Sequence, residues 1–153
     1  MTTAASRADR RRRQHEGSPV SVLVRGLVVL TLGVDAFIHF RLAAGYQNAA
    51  PGGIGTGTVF RLEAIAATLV GLWVLVRGSR AAYAAAAVIA LSAAAAVVLY
   101  RYVNVPTVGP LPAMYEPVWY FQKTLSAVAE TVGGITAAAA YLRSDKDRPH
   151  EDF

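Results

Sequence analysis

The stretch Ala81–Tyr100, AAYAAAAVIALSAAAAVVLY, contains no charged side chain, and its only polar side-chain atoms belong to Tyr83, Ser92 and Tyr100. A helix of that length, at about 1.5 Å per residue, reaches about 30 Å, the thickness of a bilayer's hydrocarbon core. A helix on the surface of a soluble protein needs a polar face. This one has none, so the stretch predicts a membrane-spanning helix. Further along the chain in both directions, apolar segments of similar length occur at about 20–40, 56–76 and 117–142, each with charges toward one end.

The connections support this division. GYQNAAPGGIGTG and NVPTVGPLPAMYEP are rich in glycine and proline and would not continue a helix, and VRGSR is a short basic turn. Glu116 followed by Pro117 predicts the start of the last helix, because proline at the first helical position gives up an N–H that has no partner there anyway. The expected architecture is all-α: an integral membrane four-helix bundle over 20–142, between a disordered basic tail at 1–19 and a polar tail at 143–153.

Composition agrees, with 54% apolar residues in 153 despite two polar tails. The net charge of +5 is not spread as a nucleic-acid face, since Arg7, Arg10, Arg11, Arg12 and Arg13 crowd the N-terminal tail. Threading the helices with both termini on one side adds Arg25, Arg77, Arg80, Arg143, Lys146 and Arg148 to that side, leaving Arg41, Arg61, Arg101 and Lys123 at the other. The positive-inside rule then predicts cytoplasmic termini on a multi-pass protein of the cytoplasmic (inner) membrane. The expected partner is the lipid bilayer, not nucleic acid. A cleaved secretory signal over 1–44 fits less well, because the charged start is too long and Asp35 and His39 interrupt the apolar run. The absence of cysteine excludes disulfides, thiolate metal sites, thiol nucleophiles and covalent haem attachment.

Ionisable residues inside the spans carry the functional signal. Measured from the basic residues at the terminal side, Asp35 lies about 15 Å deep, and His39, Glu63 and Glu130 each about 20 Å. These groups from three helices share one stratum, with Arg41, Arg61, Arg101 and Lys123 just beyond it. Asp35 and His39, four apart, share a helix face. Glu116, Tyr120, Lys123, Ala127, Glu130 and Gly134 form a polar-to-small stripe on the last helix. Such groups cost about 2–3 kcal/mol each facing acyl chains, so they are expected to face the bundle interior, in its outer half. Expected pairings are Arg61 with Asp35 or Glu130, and Lys123 with Glu63. A purely structural cluster, fixing helix register, competes with one that binds or relays something.

No cofactor is expected. A divalent metal on the carboxylates and His39 is the lesser alternative, because no Glu-x-x-His or His-Glu-x-x-His spacing enforces it. Haem at His39 would need a second ligand, and His15 and His150 lie in the tails. Tyr46, Glu116, Trp119 and Tyr120 could line a ligand mouth, or equally an interfacial aromatic belt. No nucleophile motif or phosphate loop occurs, which weighs against an enzyme. Small residues on the last two helices leave a homodimer or a partner membrane subunit open.

Ile38, His39, Tyr46, Pro51, Gly55, Phe60 and Glu63, within AFIHFRLAAGYQNAAPGGIGTGTVFRLEAIAA, resemble the pattern of small four-helix membrane proteins of high-GC bacteria, loosely of the DoxX-like kind. Glu63, where an uncharged polar residue is usual, and the basic tail depart from it. The resemblance implies a four-helix inner-membrane protein and brings no established activity. The expected role is therefore a small ligand-binding or accessory subunit, with a proton-coupled transporter or exchanger and a membrane redox accessory as alternatives.

Overall fold

The computed structural model describes residues 19–47, 54–109 and 111–146. The N-terminal arginine run, Pro51 and the C-terminal residues beyond 146 lie outside the described residues. The described chain forms α1 (Pro19–Gln47), α2 (Thr56–Arg77), α3 (Arg80–Tyr102) and α4 (Phe121–Lys146). All four are long and apolar enough to cross a membrane, which makes this a multi-pass membrane protein.

The helices form a closed ring in chain order, α4 packing back on α1. Cross-contacts show that neighbours run antiparallel. Arg25 meets Gly78 and Leu32 meets Gly71 between α1 and α2. Thr31 meets Gly133 and Tyr46 meets Tyr120 between α1 and α4. Arg80 meets Tyr141 and Leu91 meets Gly134 between α3 and α4. Both ends of the described chain therefore lie at one end of the bundle, called proximal below; the other is distal.

Two boundaries differ from the sequence expectation, for tertiary reasons. α1 continues past Phe40 to Gln47, carrying Tyr46 on a helix of 29 residues. α4 starts at Phe121, not Pro117, with Thr124 N–H donating to Tyr120 O at 3.0 Å as its opening bond. The Glu116 backbone is used elsewhere: its N–H donates to Tyr100 O at 2.9 Å, at the end of α3, and its carbonyl accepts from the Lys123 ammonium. Glu116 is a strap rather than a helix start. Between them, Val105 bridges Met114 and Val108 bridges Leu111, with Gly109 at φ 57° in the left-handed region.

The proximal turn between α2 and α3 is only Gly78–Ser79. Gly78, at φ 52°, donates its N–H to Val74 O at 2.8 Å, and Ser79 Oγ caps α3 by accepting from Ala82 N at 3.2 Å. Arg25 occupies the space that a Cβ at Gly78 would need.

The core is built from small residues, Ala64, Ala67, Ala82, Ala86, Ala90 and Ala137 around Val28, Leu32 and Val74. Larger side chains such as Leu23, Leu69, Val76, Val88 and Leu142 are exposed instead. That inversion suits lipid, where burying leucine brings little gain and close backbone approach brings dispersion contacts. Gly133 and Gly134 show the approach directly, the first against Thr31 of α1 and the second against Leu91 of α3.

Candidate functional site

A buried seam runs along α4 through Lys123, Ser126, Glu130, Gly133 and Ala137, spaced by threes and fours as on a helix face turned to a neighbour. Opposite it, α1 presents Thr31, Asp35 and Ile38, which are buried, with the half-buried His39 one turn beyond Asp35. Where the faces meet, ligand-type atoms of Asp35, His39 and Glu130 all lie within 4.8 Å of one another. Asp35 and Glu130 are each only 1% exposed.

The hydrogen bonds within this centre are short of donors. His39 Nδ1 lies 2.8 Å from Asp35 Oδ1 and 3.1 Å from the Asp35 carbonyl. Ser126 Oγ lies 3.0 Å from Asp35 Oδ1 and 2.9 Å from Glu130 Oε1. A hydroxyl has one hydrogen to give, so Ser126 serves one of these carboxylates at a time. Asp35 Oδ2, Glu130 Oε2 and Glu63 Oε1 are buried with no hydrogen-bond partner among the described residues. Glu63, on α2, is half-buried and lies outside the group of ligand atoms that Asp35, His39 and Glu130 form.

One of the cations expected nearby, Lys123, is engaged elsewhere. Lys123 is buried at the distal end of the seam, donates to the Glu116 carbonyl and sits 5.4 Å from the centroid of the Trp119 ring. It does not pair with Glu63, because the Glu116 strap captures its ammonium. Arg61 and Arg41 are exposed, and Arg41 lies 5.7 Å over the Phe37 ring. Arg101 packs 5.1 Å over Tyr102 at the end of α3. Of the eight residues expected to cluster, Asp35, His39 and Glu130 form one compact centre, and Lys123 joins Glu116 in a more distal layer.

A second polar layer caps the distal end. Tyr46 OH donates to Glu116 Oε2 at 2.8 Å and lies 2.9 Å from Tyr120 OH, so the Tyr120 hydroxyl donates to Tyr46. Trp119 is outside this hydrogen-bonded group and largely exposed. Phe60 lies between the two layers, its ring 5.1 Å edge-on from His39 and 4.9 Å from Tyr46. A groove on the outside of the α1–α4 seam, lined by Phe37, Ile38, Arg41, Phe121 and Leu125 among others, includes none of the ionisable residues of the centre.

Sequence reading missed Ser126. The signal was available, since Ser126 lies three residues after Lys123 and four before Glu130, and so shares their face. Following Ala127 in its place traced a stripe rotated by one residue. Comparison of the chain with protein-family models, curated proteins and solved structures finds no significant match.

Proposed function

We propose that the chain is a non-enzymatic multi-pass protein of the cytoplasmic membrane, with cytoplasmic termini, that binds a positively charged ligand at its Asp35–His39–Glu130 centre. The observation that carries this reading is the excess of acceptors: Asp35 Oδ2, Glu63 Oε1 and Glu130 Oε2 are buried without a donor among the described residues. A cluster kept only for packing satisfies its own groups, because each buried unpaired acceptor costs about 1–3 kcal/mol, and more when charged. A binding site leaves those lone pairs for what it binds.

The orientation rests on the weight of arginine at the proximal end, where Arg25, Arg77, Arg80 and Arg143 join the N-terminal run. The DoxX-like resemblance around Ile38, His39, Tyr46 and Phe60 supports the same membrane and helix number. Binding or accessory service is favoured over catalysis because the buried hydroxyl of Ser126 is turned to carboxylates, and Ser92 donates to its own helix at Ile89 O.

The test is Glu130→Gln in mild detergent with a chelator present. The new amide supplies hydrogens where Asp35 and Glu130 each keep a buried oxygen without a donor, so the melting temperature is expected to rise. A structural cluster requires it to fall, and a fall would reject the reading.

A further inference from the structure

We propose that Asp35, His39 and Glu130 form the binding site of a single divalent transition-metal ion of the manganese, iron or zinc kind. The inference rests on the cation-binding reading and narrows it to one class of ligand.

Distance supports it first. Two atoms bound to one ion at about 2.1 Å are about 3 Å apart when adjacent in an octahedron and at most about 4.2 Å apart when opposed. The three side chains already bring ligand atoms within 4.8 Å of one another, so closure by less than about an ångström per group would seat an ion. They come from two helices that a glycine, Gly133, lets approach closely one turn away, so the backbone holds the spacing. Asp35 and Glu130, 1% exposed, each keep one oxygen without a donor. These unused lone pairs are an observation separate from the clustering itself.

The chemistry of the donor set then selects the ion. An imidazole beside carboxylates suits manganese, ferrous iron and zinc. Calcium and magnesium take oxygen ligands and gain nothing from His39. Cuprous copper favours thiolate or thioether, and the chain has no cysteine. Charge agrees: Asp35 and Glu130 together carry two negative charges when ionised, matched by one divalent ion. The nearest buried ammonium, Lys123, is committed to Glu116 two turns away along α4. Ser126, touching both carboxylates, orients them as an outer-shell partner would. On binding, the ion takes the imidazole and carboxylate lone pairs, and any protons held there leave to solvent.

The experiment uses the full chain, purified without a histidine tag, stripped with chelator and dialysed. Mn2+ binding is followed by loss of the free aqueous Mn2+ resonance signal, and Zn2+ binding by the shift in melting temperature, with Mg2+ and Ca2+ as controls. The expected result is one ion per chain, with affinity falling at least about tenfold in both Glu130→Gln and His39→Gln. A variant lacking His15 and His150 should bind as the wild type does. Absence of stoichiometric binding, binding that survives both ligand variants, or equal binding of Mg2+ or Ca2+ would overturn the assignment. If Mn2+ and Zn2+ do not bind while Glu130→Gln still raises the chelated melting temperature, the metal inference alone falls. If that stabilisation is also absent, the cation-binding reading falls with it.

Discussion

Gly133→Ala tests how tightly the last helix must sit on the first for the acidic centre to exist. A Cβ at Gly133 would lie 2.9 Å from Thr31 Cβ and nearer still to Thr31 Oγ1. Thr31 is 8% exposed and donates to Val28 O at 3.0 Å. Rotating it exchanges the hydroxyl for a methyl but leaves its Cβ in place, so the helices themselves must separate. Alanine gains about 1 kcal/mol over glycine in a helix interior, while overpacking costs about 1–3 kcal/mol. The net expectation is destabilisation of up to about 2 kcal/mol relative to wild type, and of about 1–3 kcal/mol relative to a glycine-to-alanine change that meets nothing. Separation of the helices also draws Glu130 away from Asp35, one turn along, so Mn2+ affinity should fall together with stability. Gly26→Ala and Gly33→Ala are the controls, since nothing lies within 4 Å of a Cβ at either, and neither should lose stability. Thermal unfolding in detergent, followed by the fluorescence of Trp73 and Trp119, gives the comparison. If Gly133→Ala proved as stable as Gly33→Ala, the close α1–α4 approach and the spacing argued from it would be refuted.

Ser126→Ala should destabilise the chelated protein by about 1–3 kcal/mol, because Glu130 loses the one hydroxyl bonded to it; combining it with Glu130→Gln should cost less than the single change alone, and additive thermal melts would contradict this. Tyr46→Phe removes the hydroxyl that joins Glu116 to Tyr120 and should cost about 1 kcal/mol, measured in the same melts. Phe60→Ala removes the ring between the distal cap and His39, so carbethoxylation of His39, followed on its own peptide by mass spectrometry, should accelerate; an unchanged rate would show that access does not pass this ring.

The four spans were legible because hydropathy is a property of consecutive residues, and Ala81–Tyr100 needs no partner to declare itself. The extension of α1 to Gln47 and the late start of α4 were not, since both depend on Tyr46 and Glu116 finding contacts far along the chain. Asp35, His39 and Glu130 could be assigned to one stratum from depth and to interior faces from cost. Their partners could not be, because depth carries no information about rotation between helices. Lys123 stood at a plausible height for Glu63, yet the Glu116 carbonyl holds its ammonium.

The centre is shared between the first helix and the last, and this bears on how the chain is made. α3 is the most apolar span and α4 the least, so α3 can enter lipid on its own merits during synthesis. α4, which carries Lys123 and Glu130, depends more on neighbours already in place. Until it arrives, Asp35 and His39 face a gap in the ring. A product lacking α4 would leave the Asp35 side chain without its cross-helix partners Ser126 and Glu130. The acidic centre is therefore complete only once the last helix has packed against the first.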